Sequence, residues 1–150
     1  MPTFFHVAPA GLAAGTVLQP GAWGRHIRQW EKGGAIFNNQ AEAYILLWEV
    51  ALEAVRQSVA PAVPSRLDCV FACRSQADAI AFRNRFRSTQ KIYSIEVATG
   101  IPTFAADYEM ITNSIAGPFV DTFVSQAFRY WTQKPEGMPE ILISGPATVL

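Results

Sequence analysis

The chain has only two cysteines in 150 residues, Cys69 and Cys73. Both lie in LDCVFACRS, a β-branched and aromatic run that predicts a strand. Four residues of strand span roughly 13 Å, beyond disulfide reach. With no companion His or Cys pair they are also a poor zinc signal. They read as reduced core thiols of a cytoplasmic protein. An excess of one charge is missing too. Lys plus Arg number 12 and Asp plus Glu number 12, which argues against a polyanion binder that works by bulk charge. The basic residues still gather in RSQADAIAFRNRFRSTQK, where a helix would carry a local positive face. No apolar run reaches the ~18 residues of a membrane helix. No basic segment followed by a long apolar one marks a secretory leader after Met1. Neither G-x-G-x-x-G nor the P-loop pattern occurs, so the two common phosphate-binding loops are absent. No nucleophile-elbow sequence surrounds a serine, which leaves a hydrolytic triad without support.

What is present is half hydrophobic, enough for one domain over residues 1–150 with a real core. TFFHV predicts a first strand. GLAAGTVLQPGAWG, rich in Gly with a Pro, predicts an irregular loop; Arg25 to Trp30 suggests a short helix, and GGAIFNN a break. NNQAEAYILLWEVALEAVRQSV is the clearest helix, with Asn39 and Glu42 in a capping-box relation. Glu49, Glu53 and Arg56 fall on one polar face, and Pro61 and Pro64 end the run. SRLDCVFAC predicts a second strand, and Ser75 caps a helix over SQADAIAFRNRF. KIYSIEVA alternates as a half-buried strand, and GIPTFAADYEMITNSI suggests a strand or short helix. Pro118 to Tyr130 predicts a helix with Phe119, Phe123 and Phe128 in the core. EILIS and ATVL close the chain as strands joined at Gly145-Pro146. Short strands interleaved with helices and long loops make an α+β domain.

Several side chains carry candidate chemistry. His6 sits inside an apolar strand, either satisfied locally in the core or functional; His26, beside Arg25 and Arg28, reads as surface. Glu136 and Glu140 in KPEGMPE offer a carboxylate pair of the kind used on glycosidic bonds. Arg66, just before a strand, is a fork for phosphate or carboxylate, or a partner of Asp68 or Glu49. Tyr130-Trp131 reads as core or lid packing, or as a ligand platform. Glu140 opens EILIS either as the polar end of a buried strand or as a working carboxylate.

Taken together, FFHVAP, FACRSQADAIAF and EILISGPATV resemble the ADP-ribosyltransferase superfamily, in the branch whose His, Tyr and Glu are spread over three strands. The first strand with GLAAGTVLQPG is similar to the rifampin ADP-ribosyltransferases. PSR, VFAC, YSIEV and YW followed by EILISG look closer to an uncharacterised bacterial family assigned to the same superfamily. The resemblance implies a split β-sheet flanked by helices around a central NAD cleft. NAD would be the substrate, with no metal. His6 would hydrogen-bond the adenosine ribose, the Val7 backbone would hold the nicotinamide amide, and Glu140 would bond the 2'-hydroxyl of the nicotinamide ribose. Ser75 falls near a serine that contacts the amide in relatives. The motif tyrosine is replaced: Phe71 or Phe82 can stack on nicotinamide, Tyr93 less well. Arg66 has no fixed counterpart in that motif; its pairing with the NAD pyrophosphate is a reading of the residue itself, apart from the resemblance. The implied activity is mono-ADP-ribosyl transfer to a protein, nucleic-acid or small-molecule acceptor. A non-catalytic binding module and an NAD glycohydrolase are the alternatives. Many small bacterial relatives are toxins, effectors or resistance enzymes, and an antitoxin or immunity partner accompanies the first of these.

Overall fold

The computed structural model describes residues 1–30, 40–112 and 115–150. The expected Asn39 cap and the GGAIFNN break lie outside the described residues. Seven strands form two antiparallel sheets. β1 (Thr3–Ala8), β2 (Val17–Leu18), β4 (Lys91–Val97) and β7 (Ala147–Val149) make one, in the order β1-β4-β7-β2. β3 (Val70–Ala72), β5 (Thr103–Asp107) and β6 (Pro139–Ile143) make the other, in the order β3-β6-β5. The helices are α1 (Ala22–Ile27), α2 (Gln40–Val59), α3 (Gln76–Phe86) and α4 (Phe119–Thr132). The class is α+β, as the interleaving predicts. No described helix is long and apolar enough to cross a membrane.

β6 explains the layering. Ile141 and Ile143 point between the two sheets, into a core with Phe4, Val70, Ile95, Val97 and Val149. Leu142 points the other way, into a core with Trp48, Leu52, Phe123, Tyr130 and Trp131 from α2 and α4. A strand apolar on both faces needs cover on both. Burying each of these Ile and Leu side chains contributes about 1.5–3 kcal/mol. Glu140 is two residues from Leu142, so the period-two pleat puts its carboxylate on the helix side.

Among the described residues one backbone bridge joins the two sheets. Phe5 N–H donates to Cys73 O at 2.9 Å and Cys73 N–H to Phe5 O at 2.7 Å, an isolated antiparallel bridge. Beyond it β1 and β3 diverge. Along β1, alternate residues turn their backbone groups to opposite edges. Phe5 faces β3, and Val7, two residues on, faces the same way. No backbone partner meets Val7 there among the described residues.

Three expectations change. SRLDCVFAC is not one strand: Arg66–Asp68 form a 3-10 turn, with Ser65 Oγ accepting from Leu67 N at 3.1 Å, and pairing with β6 covers Val70–Ala72 alone. The local serine cap competes with the ladder and wins. GLAAGTVLQPGAWG is more ordered than a loop, holding β2 and the start of α1. On α4 only Phe123 of the three phenylalanines is core; Phe119 and Phe128 are half-exposed. Phe128 lies off the stripe Phe123, Ala127, Tyr130, Trp131 that α4 buries, and Phe119 sits at its end against Tyr44 and Phe123.

Candidate functional site

A cavity of about 400 Å³ opens where the sheets part. His6, Val7, Arg66, Phe71, Phe82 and Glu140 all line it, so six residues spread over 135 positions of sequence meet in one place. Ser75 does not. Its hydroxyl caps α3, accepting from Asp78 N at 3.1 Å and donating to Asp78 Oδ2 at 2.6 Å. Tyr93 donates to Pro9 O at 3.0 Å and lies outside the lining. Glu136 is exposed, so it forms no carboxylate pair with buried Glu140.

Arg66 anchors the floor. Its Nε donates to both oxygens of Glu49, at 3.0 and 3.2 Å. Its Nη1 donates to the Tyr130 hydroxyl at 2.8 Å and to Glu140 Oε1. Tyr130 in turn donates to Glu140 Oε1 at 2.5 Å. Trp23 Nε1 donates to Glu49 at 2.9 Å. The guanidinium also stacks near Phe71, 4.8 Å from the ring centroid. Arg66, Glu49 and Glu140 are each at most 6% exposed, so this is a buried carboxylate–guanidinium–carboxylate array. Burial works against the Arg66 charge, but Glu140 and Glu49 outweigh it and hold it protonated. Burial raises the Glu140 pKa above its ordinary value, only partly opposed by Arg66 and the Tyr130 hydrogen bond. Burial likewise lifts the Tyr130 hydroxyl well above its usual range. Nε and Nη1 of Arg66 are therefore spent on the floor, which leaves only Nη2 for the pyrophosphate role the sequence suggested.

Two atoms of the array stay open. Glu140 Oε2 and Arg66 Nη2 have no hydrogen-bond partner among the described residues. Trp48 Nε1 is the fully enclosed side-chain polar atom that lacks a partner among them, so Oε2 and Nη2 are not sealed and face the cavity. His6 supplies a third group. Its Nδ1 meets Phe71 O at 2.7 Å; a carbonyl only accepts, so Nδ1 carries the proton. Burial depresses the His6 pKa below 6.5 against that bond, which leaves the ring neutral and Nε2 an acceptor. The aromatic wall holds Phe82, Phe86 and Tyr108 in mutual edge contacts at 5.1 to 5.4 Å.

Sequence reasoning missed Trp23, Phe86, Arg87 and Tyr108, all in the lining; it named Glu49 only as a partner of Arg66, and that pair is present, though buried rather than on the surface. Glu49 does share a helix face with Glu53, which pairs with Arg56 at 2.8 Å. The signal was its place one turn before Glu53, level with Trp48 and Leu52 in the core stripe. Trp23 of α1 reaches that face through its bond to Glu49, and α1 itself is seated on the Arg66–Asp68 turn: Gly24 packs so tightly on Leu67 O that an added Cβ would come within 1.9 Å. The loop leading to Glu140 is pinned by Asp107, which accepts from the N–H groups of Glu136, Gly137 and Met138 at 3.0, 2.7 and 2.9 Å. Burial would raise the Asp107 pKa, but these amides and that of Glu109 bring it below the ordinary value. Both cysteines are free and buried; burial pushes the Cys73 thiol up to about 12.

Residues 25–150 match the family described as protein of unknown function (DUF2441). His6 and Val7 lie ahead of the matched span. No curated protein matches the chain.

Proposed function

The chain belongs to the DUF2441 family, whose description assigns no activity, and we propose from the cleft itself that it is an NAD-dependent mono-ADP-ribosyltransferase. The observation that carries this reading is the convergence of His6, Val7, Phe71, Phe82 and Glu140 on one cavity at the parting of two sheets. A cavity at the parting of two antiparallel sheets, lined by these five residues, supports the split-sheet cleft that the resemblance implies. Each open group fits part of the nucleotide. His6 Nε2 accepts from a ribose hydroxyl. The Val7 N–H and C=O match the acceptor and donor of a carboxamide. Phe71 and Phe82 offer faces to a pyridinium ring. Glu140 Oε2 accepts from the 2'-hydroxyl of the nicotinamide ribose.

In the reaction, the bond between the ribose C1' and the nicotinamide nitrogen breaks. Its electron pair stays on nitrogen, so neutral nicotinamide leaves. Positive charge develops on the ribose beside Glu140, where a fixed carboxylate stabilises it. The acceptor's lone pair then bonds C1', and the acceptor's proton passes to solvent. Water in that place gives free ADP-ribose, the glycohydrolase outcome.

The test is nicotinamide release from labelled NAD, with and without cell lysate, by wild type and Glu140→Gln. Wild type releases nicotinamide and labels an acceptor; the variant falls by roughly 100-fold or more and keeps its fold. Equal, background-level release from both proteins ends the transferase reading. A second reading, a binding module without turnover, is favoured by one observation: Glu140 Oε1 is already spent on Arg66 and Tyr130. Calorimetric NAD binding without nicotinamide release selects it.

A further inference from the structure

Arg87 lines the cavity and is exposed to solvent, which places it at the mouth. It forms no ion pair among the described residues. Its neighbours differ: Arg85 pairs with Glu109 at 2.5 Å, and Arg28 with Asp68 at 3.0 Å. The one hydrogen bond of the Arg87 guanidinium goes to the adjacent Phe86 carbonyl, at 3.1 Å. Tyr108 lines the same cavity, its ring fixed by Phe82 and Phe86; burial raises its hydroxyl pKa, and the floor charges of Arg66 and Glu140 act on that hydroxyl ahead of Arg87.

The cavity is therefore polarised. On the floor, Glu49 and Glu140 face the single charge of Arg66, an excess of one formal negative charge (two minus one). At the mouth stands the exposed Arg87, with no ion pair among the described residues. A ligand with a cationic ring at one end and phosphate at the other enters ring first. Reversed, its phosphate would meet two buried carboxylates, and like charges at close range cost far more in a cavity than in water.

We propose that Arg87 forms a phosphate-reading subsite at the cleft mouth, which selects nucleotides over nucleosides and sets the direction of binding. This rests on the NAD reading above. An arginine fork suits phosphate oxygens. The position also gives the basic stretch of α3 a use that net charge alone did not reveal.

Nicotinamide riboside and nicotinamide mononucleotide differ by one 5'-phosphate and make the probe pair. Binding is read by calorimetry and by quenching of Trp23 and Trp48, which line the cavity. Wild type binds the mononucleotide about 10-fold more tightly than the riboside, the scale of one charge-assisted contact. Arg87→Gln loses that preference while its riboside affinity stays put. Arg87→Lys keeps part of it, and Arg83→Gln, outside the lining, keeps all of it. Raising salt from 0.05 to 0.5 M erodes the wild-type preference, because the cation is exposed. If Arg87→Gln retains the wild-type ratio, or wild type binds both probes equally, the subsite is wrong and the nucleotide reading stands. If wild type binds neither probe, both fall.

Discussion

Replacing Arg66 by Met tests the floor of the cleft most severely. The array holds two carboxylates and one guanidinium, each at most 6% exposed. Removing the cation leaves Glu49 and Glu140 buried together with nothing between them. Loss of one partner from a buried pair costs about 3–5 kcal/mol, which for a chain of 150 residues lowers Tm by roughly 6–20 °C. Glu140→Gln is the opposite perturbation. It leaves Arg66 and Glu49 as a neutral pair, and the amide oxygen still accepts from Tyr130 and Arg66. The charge-assisted bonds weaken to neutral ones, a loss of about 1 kcal/mol, offset in part because an uncompensated buried charge has gone. The pH dependence follows from the same count. Burial already raises the Glu140 pKa, and without Arg66 it rises further. A carboxyl with a raised folded pKa contributes stability below its unfolded pKa and loses it as pH rises through the folded one. The Tm gap between Arg66→Met and wild type is therefore wide at pH 8 and narrower at pH 5. Differential scanning calorimetry across that range measures it. A gap independent of pH, or Glu140→Gln as costly as Arg66→Met, would refute the charge argument.

Two further outcomes are expected. His6 has a depressed folded pKa, so its contribution is complete above about 6.5 and is lost as pH falls through the folded value. His6→Asn keeps a donor for Phe71 O without titrating, so the wild-type advantage in Tm shrinks between pH 7.5 and 5. Gly24→Ala brings a Cβ within 1.9 Å of Leu67 O and forces α1 off the Arg66–Asp68 turn. Thermal melts show a loss of about 1–3 kcal/mol, and cleft ligands bind more weakly because Trp23 and Arg66 move apart.

Most strands and three of the helices are readable because their patterns are local: alternation in KIYSIEV, helical spacing in α2, a serine cap on α3; β2, two residues within a Gly-rich stretch, is not. His6 and Glu140 were also visible, as polar residues in apolar strands with no core reason to be there. What could not be read is the full array. Glu49 was legible as a partner of Arg66, but only the meeting of α2, α4 and β6 adds Glu140 and Tyr130 and buries the group. Glu49 also read as part of a polar face, which Trp23 of α1 reaches. Ser75 has the same serine-to-helix signature whether its hydroxyl caps or contacts a ligand, and here capping consumes it. Phe119 and Phe128 were counted as core because an isolated helix does not show where its neighbours end.

The strand order fixes when the cleft comes into being during synthesis. β6 is the middle strand of one sheet and β7 an inner strand of the other, and neither exists before residue 139 has been added. Until then β3 and β5 have no common neighbour, and β2 has no partner at all. A nascent chain can present His6 and the aromatic wall but neither closed sheet nor Glu140. Contacts between residues this far apart in sequence form slowly and together. A ribosome-stalled fragment ending before Pro139 should bind chaperone and, on the proposed reading of the cleft, release no nicotinamide from NAD.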